Sequence, residues 1–375
     1  MREDHPLAVY WHPATLKHRP PDGAFKLPSC PFLATDEPHP DRPARVRNVK
    51  RVVEETFGSA VFTAADPAPR SALERVHDPD YVAWLREFAA DGGGYVDGTT
   101  TAGNDATFEA ARHAAGAAIA ATDHALTDRP GAPYALARPS GHHAQSDRAD
   151  GFCFLNNAAI AAGHALADGL DRVAIVDWDV HHGNGTQEVF EDRDDVLFVS
   201  VHNDHGAWDP TYHPQTGGLE EVGVDDGEGY TVNVPVPPGT GDRGYEAVFE
   251  RLVEPIVTAY DPDLILYSAG QDPGPSDPLG RNVVTRDGFR TLGARARELA
   301  ATTADGRYAL LQEGGYQVSH LAFATLGVLE GATGRTFDLP EHGAGDPFAW
   351  LEEETGPLED AVESACDHHG EFWPV

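Results

Sequence analysis

Between Tyr134 and Gln312 the chain repeats one arrangement: a short β-forming run, a polar cluster, then a segment of helical length. The runs read YALAR, VAIVD, VLFVSVH, TVNVPV, LILYSAG and YALLQ. Each is apolar and bounded by Gly, Pro or Asp, as buried strands are. The text between them is helical. NDATFEAARHAAGAAIAATDHAL is Ala-rich, with Asn104 able to cap it. LNNAAIAAGHALADG stops at Gly169, and RGYEAVFERLVEPIVTAY should kink at Pro255. Strands alternating with helices predict an α/β fold, a doubly wound, mostly parallel sheet with helices on both faces. The first 45 residues read as loop-rich, with Pro and His clusters in HRPPDG and EPHPDRPAR. After about Gly331 the text turns acidic and irregular. The division is therefore one large domain over residues 1–330 and an acidic tail over 331–375, packed on the domain or trailing from it.

In an open parallel sheet, ligands bind beyond the carboxyl ends of the strands. Here five such ends deliver polar residues. YALAR leads to Ser140-Gly141-His142-His143, and VAIVD ends in Asp177 and leads to Asp179 and His181. VLFVSVH carries Ser200 and His202; LILYSAG leads to Gln271-Asp272; YALLQ leads to Glu313-Gly314-Gly315-Tyr316. In an extended strand, residues two apart share a face, so Asp177, Asp179 and His181 point one way. Asp and His at i, i+2 can chelate one metal, with Asp272 as the distant third ligand. Two carboxylates, one imidazole and an open position for water make a catalytic zinc site. A single Asp beside Gly is commonly no more than a turn. Unrelated turns would rarely co-occur at five strand ends of one sheet.

Composition excludes other classes. No apolar stretch of about 18 residues is present, so no membrane span is expected. The start, MREDHPLAVYWHP, lacks the apolar core of a signal peptide. Cys30, Cys153 and Cys366 form no CxxC pair and suit a reducing cytoplasm. The 61 acidic residues against 27 basic ones give a net charge of −34, which repels nucleic acid. Such self-repulsion destabilises a compact state unless salt screens it, and we read it as adaptation to a salt-rich, archaeal cytoplasm. Nothing in the composition sets the oligomeric state, and a homo-oligomer is compatible with it.

RPSGHHA, GFCFLNN, VDWDVHHGNGTQ, SVHN, SAGQDP followed by DPLG, and EGGY resemble the ordered motif set of the zinc-dependent histone deacetylase superfamily. That superfamily includes acetylpolyamine amidohydrolases and acetoin-utilisation proteins. The likeness runs from about Tyr10 to Leu329, with HPDRP at His39 and VHDPDYV at Val76 also fitting. Asn184 and the EGGY form look more like the second class and its bacterial and archaeal relatives. The resemblance implies the arginase-deacetylase fold, with about eight strands, and a deacetylase that hydrolyses an N-acyl amide such as acetyl-lysine or acetylpolyamine. It assigns Asp179, His181 and Asp272 to Zn²⁺, or Fe²⁺ in its place. His142 and His143 become the tandem histidines, oriented by Asp177 and Asn184, and Tyr316 faces the metal. Gly151 and Phe152 line a tunnel, and Asp177, Asp179, His181 and Ser200 hold a structural K⁺.

Because a carboxylate stabilises imidazolium, the pairing makes His142 the charged histidine and His143, beside neutral Asn184, the proton-transfer residue. Two positions depart from the pattern. Gln271 stands where relatives carry an apolar residue, and His213 falls where a tunnel aromatic is expected, so both are placed on the tunnel wall and put the substrate in doubt. His368 and His369 beside Cys366 look metal-like in isolation but lie outside the motif set. A ureohydrolase on the same fold would use two manganese ions and more Asp ligands. A non-enzymatic acyl-binding protein would not need an intact catalytic set.

The charge excess generates the first prediction. Diluting KCl from about 3 M to about 0.1 M should lower the melting temperature by on the order of 10 °C, the effect of about 8 kcal/mol in a chain of this size. A melting temperature indifferent to salt would remove the reading.

Overall fold

Alternate residues of a strand face opposite sides of its sheet, and both sides here are apolar. The computed structural model describes residues 5–96, 99–127, 131–204, 216–339 and 356–375. The strands of its main sheet are β1 (Leu7–Trp11), β2 (Phe62–Ala64), β3 (Ala132–Ala135), β4 (Val173–Asp177), β5 (Val196–Asn203), β6 (Thr231–Val236), β7 (Leu264–Ala269) and β8 (Tyr308–Gln312). They form one sheet in the order β2-β1-β3-β8-β7-β4-β5-β6, and every pairing is parallel. Ala174 and Val176 of β4 join one core, and Val173 and Ile175 join the other. β5, β7 and β8 divide in the same way. One core is covered by the helices Ala44–Phe57, Arg286–Thr303 and Val318–Thr333, and the other by Thr107–Ala125 and Asn157–Ala167. This is the α/β arrangement expected.

Three local expectations change. The loop-rich opening contains β1, which sits inside the sheet between β2 and β3. Asn104 does not cap the following helix; its side chain takes up Arg19 N and Lys17 O instead. At Pro255 the helix widens: Asp242–Val248 and Glu254–Tyr260 are α-helical, and Phe249–Val253 between them is π-helical. Proline has no N–H for the carbonyl four residues back, so the wider register accommodates it. Gly169 does end its helix, at a φ of 106°.

The helix Val318–Thr333 runs through residue 330, and the following helix Gly356–His369 packs Leu358, Val362 and Ala365 into the first core. His369 Nε2 lies 2.9 Å from Asn233 O, so that histidine joins the tail to β6. Among the described residues no helix is long and apolar enough to cross a membrane.

His77 joins the second core to the site loops. It lies 2.8 Å from Gln145 O through Nδ1, and its Nε2 accepts Asn156 N–H at 2.9 Å. Those partners require the neutral ring. Burial pushes its pKa down to about 4, against hydrogen bonds to Gln145 and Ser146 that raise it. The unfolded ring titrates near 6.5. Below that pH the unfolded chain binds the extra proton, so stability is lost as pH falls from about 6.5 toward 4. Urea unfolding should show a loss of about 2 kcal/mol from this residue between pH 8 and pH 5. An equal drop in His77→Gln would contradict that origin.

Candidate active site

The five polar strand ends belong to β3, β8, β7, β4 and β5, which are consecutive in the sheet. Their side chains are therefore brought to one edge. β4 stops at Asp177, so the extended geometry assumed for Asp177, Asp179 and His181 does not hold. Asp177 Oδ1 accepts Asp179 N–H at 2.9 Å, and Asp179 Oδ1 accepts His181 N–H at 3.0 Å. Two successive Asx turns wind the chain so that residues two apart still gather.

His181 Nδ1 lies 3.1 Å from both Asp179 Oδ1 and Asp272 Oδ2. One N–H cannot point at two acceptors, but ligands at about 2.0–2.1 Å from a shared ion sit about this far apart. Both carboxylates are wholly buried. Burial opposes charge on His181, yet the two carboxylates push it up to about 9. Burial, with Asp179 beside it, pushes Asp272 up to about 7. The pocket thus draws in positive charge, as a divalent-cation site does. Asp179, His181 and Asp272 form the one buried group of this kind among the described residues; a second, Asp123, His164 and Asp168, lies largely exposed on the helices.

Glycines permit the approach. A Cβ at Gly314 would lie 2.1 Å from Asp272 Oδ2 and 2.6 Å from Asp179 Oδ2, and one at Gly270 would lie 2.2 Å from Asp179 Oδ2. Gly314 N–H also donates to Asp179 Oδ2 at 2.7 Å.

The tandem histidines differ in their partners. His142 Nδ1 is 2.9 Å from Asp177 Oδ2, and its Nε2 is 3.8 Å from Asp179 Oδ1. Burial disfavours its charge, but Asp179 and Asp177 raise its pKa well above the usual value. His143 Nδ1 is 2.6 Å from Asn184 Oδ1. Because that acceptor is an amide oxygen, Nδ1 carries the proton and Nε2 keeps a lone pair. Burial, then His142 and His181, hold His143 well below the usual value. The rings are 4.1 Å apart, and His143 lies 5.8 Å from His181.

Tyr316 is placed by groups to which the sequence reading gives no role. Arg45 donates to Gly315 O at 2.5 Å and Glu313 O at 2.8 Å, and its guanidinium stands 4.5 Å over the Tyr316 ring. Asp277 Oδ2 accepts Tyr316 N–H at 2.5 Å. Arg45 is held by Asp41 at 2.6 Å, which Arg138 also meets at 2.9 Å. Against burial, Arg138, His18 and Arg45 keep Asp41 ionised, well below the usual carboxylate range. Burial raises Tyr316 well above its ordinary value, so it stays protonated. The sequence signals for this support are EPHPDRPAR, which carries Asp41 and Arg45, and DPLG, which carries Asp277.

Phe152 stands edge-on to Tyr316, 5.6 Å between centroids, and a Cβ at Gly151 would lie 2.1 Å from His143. Ser200 is opposite Asp177 in the β4–β5 register, with its Oγ 2.9 Å from His202 Nδ1. Gln271 is a correction. It has no exposed surface, and its amide contacts Ala269 O, Gln312 Nε2 and Thr325 Oγ1. The chain turns it inward beneath the loop, so it does not line an open tunnel. His213 lies outside the described residues.

Residues 39–332 match the model of the histone deacetylase domain family. The chain is 41% identical over 371 residues to histone deacetylase 8 of Arabidopsis thaliana, covering 98% of this chain and 97% of that protein. It is 37% identical over 347 residues to a probable deacetylase of Archaeoglobus fulgidus, covering 89% and 94%. The crystal structure of the HDA15 HD domain superposes with a TM-score of 0.83 at 32% identity, covering 99% of this chain and 96% of that one.

Gly314→Ala leaves every candidate ligand in place but pushes Asp179 and Asp272 apart. It should weaken zinc binding by about 10–100-fold, as loss of support around ligands does. Gly356→Ala, where a Cβ meets nothing within 4 Å, is the control. Equal zinc affinity in the two variants would show that the carboxylates do not share an ion.

Proposed function

The chain belongs to the histone deacetylase family, and from that premise we propose a metal-dependent deacetylase that hydrolyses a linear N-acyl amide, such as acetyl-lysine or acetylpolyamine. The observation that carries the reading is the unequal pair His142 and His143 beside Asp179, His181 and Asp272. Those three residues would hold Zn²⁺, or Fe²⁺ in its place. When bound, such an ion polarises the amide carbonyl and lowers the pKa of its water.

The chain's own groups supply the rest. His143 Nε2 takes a proton from the attacking water and returns it to the departing amine. His142, charged against Asp177, contributes fixed positive potential and no basic lone pair. Tyr316 donates its O–H to the developing oxyanion, and Arg45 holds the loop that presents it. Gly151 and Phe152 flank His143 and Tyr316 as walls for an extended acyl-amine chain. Asp177, Asp179, His181 and Ser200 are the proposed K⁺ ligands. The free Cys30, Cys153 and Cys366 fit a reducing cytoplasm, and the acid excess fits a salt-rich one.

Turnover of acetyl-lysine peptides and acetylpolyamines in molar KCl tests the proposal. Tyr316→Phe should keep its metal and lose about 10²–10³ in kcat. His143→Ala should abolish turnover, and His142→Ala should leave a measurable remnant. Asn184→Asp places a carboxylate beside His143 and raises its pKa, so the acidic limb of the pH–rate profile should move upward. Equal losses from both histidine variants, with no shift in Asn184→Asp, would refute the division of labour.

A further inference from the structure

A second set of aromatic and acidic residues gathers at the opposite end of the sheet. Asp171 lies just before β4, Asp194 and Asp195 before β5, Tyr230 before β6, and Tyr260 ends the helical segment before β7. Trp373 reaches them from beyond the helix Gly356–His369.

The three rings stand nearly perpendicular to one another. Centroids are 5.8 Å apart for Tyr230–Tyr260, 5.7 Å for Tyr230–Trp373 and 6.2 Å for Tyr260–Trp373, at interplanar angles of 70°, 86° and 80°. Rings so spaced leave points that lie within the ~6 Å reach of a cation–π contact from all three centroids at once. The same rings line a cavity of about 280 Å³, with Asp171, Asp194, Asp195 and Arg172 on its polar side, three acids against one base.

The walls are fixed. Trp373 Nε1 donates to Gly229 O at 2.7 Å, and Tyr260 O–H donates to Asp194 O at 3.1 Å. Gly229 has a φ of 91°, and a Cβ there would meet Phe372 at 2.8 Å, so glycine admits the Phe372-Trp373 turn. Asp195 is matched by Arg193 through contacts of 2.8 and 2.6 Å. Asp171 and Asp194 carry no side-chain ion pair among the described residues. Tyr260 already meets one cation: the Arg172 guanidinium stands 5.7 Å over its ring, tied to Tyr260 O and Asp261.

We propose that this corner is a second ligand site, an aromatic cage for an alkylammonium cation bearing several N-methyl groups. Methyl groups fill the ring faces and spread the charge, so the cation sheds little water on entry. The carboxylates set the sign and disfavour anions. The site lies across the sheet from the catalytic residues and does not rest on the proposed hydrolysis.

Choline and 3,3-dimethyl-1-butanol have nearly the same shape and differ in charge. Calorimetric titration of the full chain with each, at constant ionic strength in KCl, separates cation binding from apolar binding. Choline should saturate one site and bind at least about tenfold tighter than the neutral alcohol. Tyr230→Leu and Trp373→Leu should each lose at least about tenfold in choline affinity, with the circular dichroism spectrum of the first unchanged. If the tryptophan variant does not fold, Tyr230→Leu and Asp194→Asn carry the test. A peptide with trimethyl-lysine that binds tighter than choline assigns the cage to a polypeptide side chain; equal affinity assigns it to a free small cation. No saturable choline binding up to about 0.1 M, equal binding of the alcohol, or full affinity in Tyr230→Leu would overturn the proposal.

Discussion

Asp177, Asp179, Asp272, Asp277 and Glu313 converge at one end of the sheet, four of them with no exposed surface and Asp277 with 9%. Taking a carboxylate out of water costs several kcal/mol even after relaxation, so each must be matched by N–H groups, a proton or a cation. The local structure follows from that requirement. Asx turns direct backbone N–H groups at Asp177 and Asp179. Asp277 receives Tyr316 N–H and Leu279 N–H. Glu313 receives Gly141 N–H at 2.7 Å, and burial pushes it up to about 8, so it carries a proton at neutral pH. What remains is the charge of Asp179 and Asp272, and His181 Nδ1 meets both carboxylates at 3.1 Å.

The positive side is arranged just as unevenly. Arg45 and Arg138 are fully buried, and both are anchored on Asp41, so their charge serves the tyrosine loop rather than the acid cluster. His142 takes the remaining role beside Asp177. Its neighbour His143 gains no carboxylate, because position 184 is Asn. Burial and the charge of His142, 4.1 Å away, then hold His143 neutral, and the Asn184 amide adds no carboxylate to oppose them.

Much of this was legible in the residues. Strands β3, β4, β5, β7 and β8 announce themselves because buried parallel strands are short apolar runs, and their polar ends follow at once. β1 is no less apolar, but His12-Pro13 and a proline-rich stretch follow it, and its neighbours β2 and β3 lie far along the chain. Asp179, His181, Asp272 and Tyr316 were visible because they follow strands directly. Asp41 and Arg45 were not, since their work is done on a loop about 270 residues away. Gln271 misled because a residue beside a ligand can face either side of its loop, and only packing decides which. The cage of Tyr230, Tyr260 and Trp373 has no sequence pattern, because it is assembled from residues ahead of strands and one beyond the last helix.

One ion shared by Asp179, His181 and Asp272 is the centre of the proposed chemistry. X-ray absorption at the zinc edge, on protein loaded with one equivalent in molar KCl, tests it most directly. The expected result is a shell of oxygen and nitrogen alone at about 2.0–2.2 Å, four- or five-coordinate, with imidazole scattering from one histidine. Sulfur at about 2.3 Å, or a six-coordinate shell of water without imidazole, would contradict it.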